Sequence, residues 1–258
     1  MIQVRYFSGY IRNWKKLCAE LAIALPLSRE ERETAVLCRG FEEWGVRLPE
    51  HLCGAFAIAL WDDKTQKLYV FRDQVGQKQM FYAEVDGELL CSGDIDEIVS
   101  DGRFEKKLNK RMLQQYLFYG YPIGEETFYE GVYKLKPGHY LVWDGEKVET
   151  TCYFKPLFTP DRSKTPEQFA QEIRDVVAEI FAEERDDDEL SYKESFLSGG
   201  VDSSYLLAAG DAVCANTVGY EEADFSEAHL AQETAEHFNK GFRVKMITPE
   251  AYFERIPP

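Results

Sequence analysis

Hydrophobic residues recur along this chain in two rhythms. Alternation at every second position marks the segments 4–7, 54–61, 68–71, 81–85, 89–92, 140–143 and 147–153 as strands. Asp62-Asp63, Asp86-Gly87 and Asp144-Gly145 fall between them as turns. Helical spacing appears first at Trp14, Leu17, Leu21 and Ile23, with Asn13 in position to cap. Ser28 and Glu31 form a capping-box pattern that opens a second helix ending near Gly45. Asn109 caps a third, running through Phe118. Strands and helices mixed in this way predict an α+β domain over residues 1–155.

The rhythm changes after a polar stretch, 156–164, that holds two prolines and reads as a linker. Thr165, Pro166 and Gln168 are an N-cap, N1 and N3 set. Phe169, Ile173, Val176, Val177, Ile180 and Phe181 follow at helical spacing. The acidic run from Arg185 to Glu189 reads as a solvated turn rather than a metal site. Strand 195–197, strand 213–220, helix 226–238 and strand 242–247 then alternate with a short helix at 205–209. Such alternation predicts a parallel sheet, so residues 165–258 form an α/β domain.

The first of those strands leads into Phe196-Leu-Ser-Gly-Gly-Val-Asp-Ser-Ser204. Glycines let backbone N–H groups approach an anion, and the following helix directs its positive end at it. Ser198, Ser203 and Ser204 add hydroxyls. Asp202 would repel a phosphate unless a divalent cation bridges them, so it reads as a Mg²⁺ ligand. The bland alternative is a glycine-containing strand–helix turn. The full nine-residue pattern favours a pyrophosphate site of an ATP-cleaving enzyme, with ATP and Mg²⁺ as its cofactors. No Gly-Lys-Ser or Gly-Lys-Thr occurs, which sets it apart from the lysine-bearing phosphate loop. Val218 and Gly219, at the end of the next strand, fall at the same sheet end, where ligands of parallel sheets bind.

Composition narrows the partners. The net charge of −16, from 30 basic and 46 acidic residues, disfavours nucleic acid. No apolar run is long enough to cross a membrane. Six cysteines at irregular spacing, with no C-x-x-C pair and no secretory leader, suggest reduced thiols and a cytoplasmic setting.

The 198–204 loop resembles the PP-loop of the ATP pyrophosphatases. These enzymes transfer AMP to an acceptor and release pyrophosphate. Asparagine synthetases, β-lactam synthetases, GMP synthetases, NAD synthetases and tRNA thiolases share it. The residues before the loop resemble the glutamine-hydrolysing asparagine synthetases in particular: Phe41-Glu-Glu-Trp-Gly45, Gly54-Ala-Phe-Ala-Ile-Ala-Leu-Trp-Asp62, Phe71-Arg-Asp-Gln-Val-Gly-Gln-Lys-Gln-Met-Phe-Tyr82 and Tyr133-Lys-Leu-Lys-Pro-Gly-His-Tyr140. Thr217-Val-Gly-Tyr-Glu221 resembles the adenine-side strand. The likeness covers nearly the whole chain. It implies a class II amidotransferase-like domain of the Ntn type, then a PP-loop domain of the adenine nucleotide α-hydrolase-like kind. It implies ATP contacts at Leu197, Ser198, Gly199, Gly200, Asp202, Ser203, Ser204, Val218 and Gly219. The implied reaction adenylates aspartate or another carboxylate, then lets ammonia or an amine displace AMP. Family members are often dimers, which implies a homodimer.

The departures are as informative. The family opens with a Cys nucleophile after the initiator Met, whereas residue 2 is Ile and Cys18 lies in a predicted helix. The family's glutamine grip aligns with Ser8, Gly9 and Glu33, where Asn, Gly and Asp are usual. A later Gly-Glu-Gly-x-Asp-Glu stretch is missing. These differences lead to the expectation of a chain truncated at both ends, whose first half does not hydrolyse glutamine. A β-lactam-synthetase-like or peptide-cyclising adenylating enzyme is the alternative within this chemistry, and a non-catalytic nucleotide-binding remnant is the alternative outside it. Other polar residues read as structural: His51 without an evident partner, His139 in a hairpin, His229 and His237 on a surface, and Arg72-Asp73 as an internal pair. Asp224 and Glu227 read as the start of a helix.

Overall fold

The computed structural model describes residues 1–185 and 193–255. The chain divides into two compact units, 1–159 and 160–258, and the division falls inside the polar stretch 156–164.

The first unit holds eight strands: β1 (Ile2–Ile11), β2 (Gly54–Asp62), β3 (Lys67–Arg72), β4 (Phe81–Val85), β5 (Glu88–Ser92), β6 (Val132–Lys134), β7 (His139–Trp143) and β8 (Val148–Cys152). Its helices are α1 (Trp14–Glu20), α2 (Arg29–Trp44), α3 (Leu48–His51), α4 (Ile95–Val99) and α5 (Lys110–Tyr119). The strands make two antiparallel sheets, ordered β1-β2-β3-β7-β8 and β5-β4-β6.

Alternation along β2 explains the layering. Phe56, Ile58 and Leu60 pack against Val36, Leu37 and Phe41 of α2. Ala57 and Ala59, on the other face, meet Met80, Tyr82 and Leu89 around the smaller sheet. Small residues there let the two sheets approach. On β4 the same alternation sends Tyr82 inward and Ala83 and Val85 to a further cluster with Ile98 and Val99 of α4. The order of layers is helix, sheet, sheet, helix. The capping box of α2 forms: Ser28 N–H donates to Glu31 Oε2 at 2.9 Å, and Glu31 N–H donates to Ser28 Oγ at 3.3 Å.

The second unit contains α6 (Pro166–Arg185), β9 (Glu194–Phe196), α7 (Val201–Ala209), β10 (Cys214–Tyr220), α8 (Ala228–His237), β11 (Gly241–Ile247) and α9 (Pro249–Phe253). Among the described residues, three parallel strands are ordered β11-β10-β9. Their core is small and rich in alanine: Leu197, Leu207, Ala212, Ala215, Ala231 and Ala235, with Phe242 against it. Thr165 and Gln168 cap α6 reciprocally, at 2.8 and 3.3 Å. The apolar stripe of α6 stays open, with Ile173 and Val176 more than half exposed. Arg185 pairs with Asp211. The acidic run after it, 186–189, lies outside the described residues.

Several expectations are corrected. β1 spans ten residues rather than four, because its whole length pairs with β2. Leu197 falls one place past β9, although its N–H still reaches the carbonyl of Asn216 at 2.9 Å. Asn13 does not cap α1 with its side chain; its amide instead bonds His51 O and Cys53 N–H, both at 2.9 Å. His51 has a partner after all, lying flat on Trp44 with ring centroids 4.0 Å apart. Arg72 and Asp73 are both buried and interact through their charges, though each makes its hydrogen bonds elsewhere. Arg72 donates to the carbonyls of Lys78, Leu135 and Gly76, and Asp73 accepts from the N–H groups of Phe56, Val75, Gln77 and Lys78. His139, as expected, is held within its hairpin, with Nδ1 2.8 Å from Pro137 O. All six cysteines are free thiols, and no described helix is long and apolar enough to cross a membrane.

Candidate functional site

The loop after β9 is folded by its own hydroxyls. Ser198 and Ser203 Oγ atoms lie 3.0 Å apart, and Ser203 Oγ also accepts the Ser198 N–H at 3.2 Å. Ser204 Oγ donates to Gly200 O at 2.8 Å, anchoring the first turn of α7. Gly199 has φ +83, and a Cβ there would lie 2.9 Å from Leu230 Cβ of α8. Only glycine meets both demands without strain. Gly200 is the N-cap residue of α7, and no side chain caps the helix. The first N–H groups of α7 therefore retain their donor character toward an anion.

A cleft of about 380 Å³ opens beside this loop. Leu197, Ser198 and Ser203 line it from the loop side, and Asn216, Val218 and Tyr220 from one face of β10. Phe196, Thr217, Phe225 and Glu227 complete its wall. Phe196 and Phe225 are mostly exposed, so the wall offers apolar surface to a flat ring. Leu197 is buried, so its side chain serves the core.

The nine residues expected at this site separate into groups. Leu197, Ser198, Ser203 and Val218 line the cleft. Gly199 and Ser204 line a neighbouring groove of about 350 Å³ with Leu230, Glu233, Thr234 and His237. Gly200 and Asp202 bracket the start of α7, and Asp202 is exposed. Gly219 faces away from the cleft: a Cβ there would lie 2.7 Å from Met246 Sδ and 3.3 Å from Ser226 Oγ. Its side-chain face packs on β11, which leaves only its backbone for a ligand. Asn216 and Phe225, which also line the cleft, were not singled out; Thr217 and Tyr220 were read only as part of the adenine-side strand, and Glu227 only as the start of a helix. Alternation along β10 places residues 216, 218 and 220 on one face and signals Asn216 and Tyr220.

Asp202 suits a cation through its chemistry. Its carboxylate is exposed and is followed in the chain by Ser203 and Ser204, whose side chains also offer oxygen. No group of three or more His, Cys, Asp or Glu side chains among the described residues makes a metal cage. A cation held by one carboxylate plus substrate phosphates is the arrangement Mg²⁺ favours.

In the first unit, Gly9 and Glu33 are brought together through Arg29. Arg29 Nε donates to Glu33 Oε1 at 3.1 Å, and Arg29 Nη2 donates to Gly9 O at 3.2 Å. Glu33 is buried, and desolvation pushes its carboxyl above the usual glutamate range against the pull of Arg29 and the Ile11 N–H. Ser8 and Gly9 pair with Ala57 and Phe56 in the β1–β2 ladder. The guanidinium of Arg29, which the sequence did not single out, is thus the partner of the Glu33 carboxylate.

Comparison with known proteins places both units. Residues 3–154 match the glutamine amidotransferase domain family, and residues 164–258 match the asparagine synthase family. The chain is 26% identical over 257 residues to asparagine synthetase [glutamine-hydrolyzing] 1 of Bacillus subtilis, covering 97% of this chain and 40% of that protein. A putative asparagine synthetase [glutamine-hydrolyzing] of Mycobacterium tuberculosis is 28% identical over 269 residues, covering 98% of this chain and 40% of that protein. Amidase chry2 of Gibberella zeae is 31% identical over 240 residues, covering 84% of this chain and 35% of that protein. The chain therefore spans well under half the length of these relatives. With a glutamine amidotransferase-type unit followed by an asparagine synthase-type unit, the chain belongs to the asparagine synthetase family.

Proposed function

We propose that the second unit binds ATP with Mg²⁺ and activates the β-carboxylate of aspartate for conversion to an amide. The observation that carries this reading is the 198–204 loop, opening from a parallel strand beside an apolar-walled cleft. The carboxylate oxygen attacks the α-phosphorus, the bond to the β-phosphate bridge breaks, and pyrophosphate leaves. Ammonia then attacks the acyl carbon of the aspartyl adenylate, and AMP leaves. Asp202 would hold Mg²⁺, which neutralises pyrophosphate charge. The N–H groups at the start of α7 and the Ser198, Ser203 and Ser204 hydroxyls orient the triphosphate. Catalysis on this scheme rests on alignment and charge stabilisation rather than on a protein nucleophile.

Free ammonia or an amine is the nitrogen source that fits the first unit. By the family resemblance, Ser8, Gly9 and Glu33 align with the residues that grip glutamine. Here Glu33 already has a cation, Arg29, in front of it. An α-ammonium group would have to displace that internal partner.

Calorimetry on the 258-residue chain tests the reading directly. MgATP binds the wild type, and Asp202→Asn weakens MgATP at least about 100-fold while removing the Mg²⁺ dependence. Aspartate-dependent exchange of labelled pyrophosphate into ATP is the matching activity. Magnesium-dependent ATP binding that persists unchanged in Asp202→Asn overturns the metal assignment.

A further inference from the structure

We infer that Glu227 is the ribose-reading, specificity-determining residue of the cleft, its carboxylate accepting hydrogen bonds from the 2′- and 3′-hydroxyls of the nucleotide. The inference rests on the nucleotide reading of this cleft and adds the choice of sugar to it.

Connectivity gives the first argument. In a nucleoside triphosphate the ribose lies between base and phosphates. A residue that borders both the base wall and the phosphate loop must therefore face the sugar. Glu227 lines the cleft together with Val218, Tyr220 and Phe225 on one side and Ser198 and Ser203 on the other. Its backbone also abuts the loop, because a Cβ on Gly199 would lie 3.5 Å from Glu227 O.

The second argument is chemical. Among the described residues lining the cleft, Glu227 is the one carboxylate. An ionised carboxylate only accepts hydrogen bonds, and it repels phosphate. A vicinal diol offers two donors at a spacing that two carboxylate oxygens can take. The Ser198 and Ser203 hydroxyls belong to the phosphate loop, and Asn216 Nδ2 is engaged with Glu194.

Helix capping does not account for Glu227. Glu227 occupies the N-cap position of α8 but makes no side-chain cap hydrogen bond. Its carbonyl already serves the helix, accepting from the N–H groups of Leu230 and Ala231 at 3.1 Å. The exposed carboxylate is free to meet a ligand without cost to α8.

The test compares sugars on the full chain. Calorimetric affinities are measured for MgATP, Mg-2′-deoxyATP, Mg-3′-deoxyATP and MgITP, in the wild type, Glu227→Gln and Glu227→Ala. The wild type prefers ATP to either deoxy nucleotide by about 10- to 100-fold, as the loss of a charge-assisted hydrogen bond requires. Both variants bring ATP down toward the deoxy nucleotides, whose own affinities change little, and circular dichroism stays unchanged. Equal weakening of ATP and deoxyATP in Glu227→Ala overturns the inference. So does a wild type that binds all the sugars alike, or one that loses affinity for ITP through Glu227, which would make the residue a reader of the base amino group. A wild type that binds no nucleotide overturns the underlying reading of the cleft instead, and the two failures are distinct.

Discussion

The two units treat their polar residues in opposite ways. In the first, hydrophobic clusters lie on both faces of the large sheet, and the charged groups among them are consumed by the fold. Asp73 gathers four backbone N–H groups, Arg72 binds three carbonyls, and Glu33 is held by Arg29. In the second, the core is a handful of alanines and leucines, and the polar residues stand at an open strand end. Gly9 and Gly199 show the contrast most sharply. Both have positive φ, +130 and +83. A Cβ on Gly9 would sit 1.9 Å from Ala55 O, in the middle of the β1–β2 ladder, whereas one on Gly199 meets the Cβ of Leu230 at 2.9 Å beside the loop. One glycine lets two strands close, and the other lets a loop turn tightly against α8. Buried polarity in this protein marks architecture, and exposed polarity marks the candidate chemistry.

Paired glycine substitutions carry the largest expected effect. All four tryptophans, Trp14, Trp44, Trp61 and Trp143, belong to the first unit, so tryptophan fluorescence follows its unfolding alone. Gly9→Ala forces a Cβ onto backbone and costs about 3 kcal/mol or more in a denaturant titration read this way. Gly199→Ala leaves that titration in place but reduces MgATP affinity, measured by calorimetry. An unchanged fluorescence midpoint in Gly9→Ala, or a shifted one in Gly199→Ala, breaks the contrast.

What was legible in the sequence follows the reach of each interaction. Capping boxes at Ser28–Glu31 and Thr165–Gln168 are complete within four residues, and both form. The 198–204 loop is likewise a contiguous pattern whose hydroxyls bond one another locally. The short elements α3, α4 and β6, of four, five and three residues, are too brief for any periodicity to show. Long-range partners were invisible for a different reason. Asn13 reads as a cap, yet it reaches His51 and Cys53, some forty residues on. Arg29 lies in the first turn of α2 and carries no local signal of a long-range partner. Its bond to Gly9 O depends on the packing of α2 beside β1, which no local window contains. The same limit applies to Glu227, which reads as the start of a helix and whose place in the cleft depends on the meeting of α8 with the loop after β9.

Acid titration sharpens the contrast through two glutamates of opposite sign. Burial raises the Glu33 carboxyl above its ordinary value, although Arg29 opposes the shift. A raised folded-state value means that the protonated form is favoured more by the folded chain than by the unfolded one. The stability that Glu33 contributes is full below the unfolded value and lost as pH rises through the folded one. Glu194, in the second unit, is shifted down by hydrogen bonds from Arg243 and Asn216. Its contribution is present above the unfolded value and lost as pH falls through the folded one. Glu33→Gln therefore stabilises the first unit at neutral pH relative to wild type, and the gain shrinks toward pH 4 in tryptophan-monitored titrations. A gain that instead grows on acidification contradicts the burial of a charged Glu33.

The smallest effect comes from one device used in both units. Ser28 and Thr165 each cap a helix reciprocally, so loss of either hydroxyl removes similar local energy, about 1 kcal/mol. The consequences differ because the helices are packed differently. Val36, Leu37 and Phe41 of α2 lie in the main core, so fraying at Ser28 loosens what the tryptophans report. The apolar face of α6 is largely open, with Phe169, Ile173 and Val176 exposed. Ser28→Ala accordingly lowers the fluorescence midpoint by an amount equivalent to about 1 kcal/mol, while Thr165→Ala is silent there. Amide exchange shows the Thr165 effect instead, as faster exchange confined to the first turn of α6. Equal fluorescence shifts from the two substitutions would mean that the second unit's helix is coupled to the first unit's core, and that the division near residue 160 is not a boundary of cooperative unfolding.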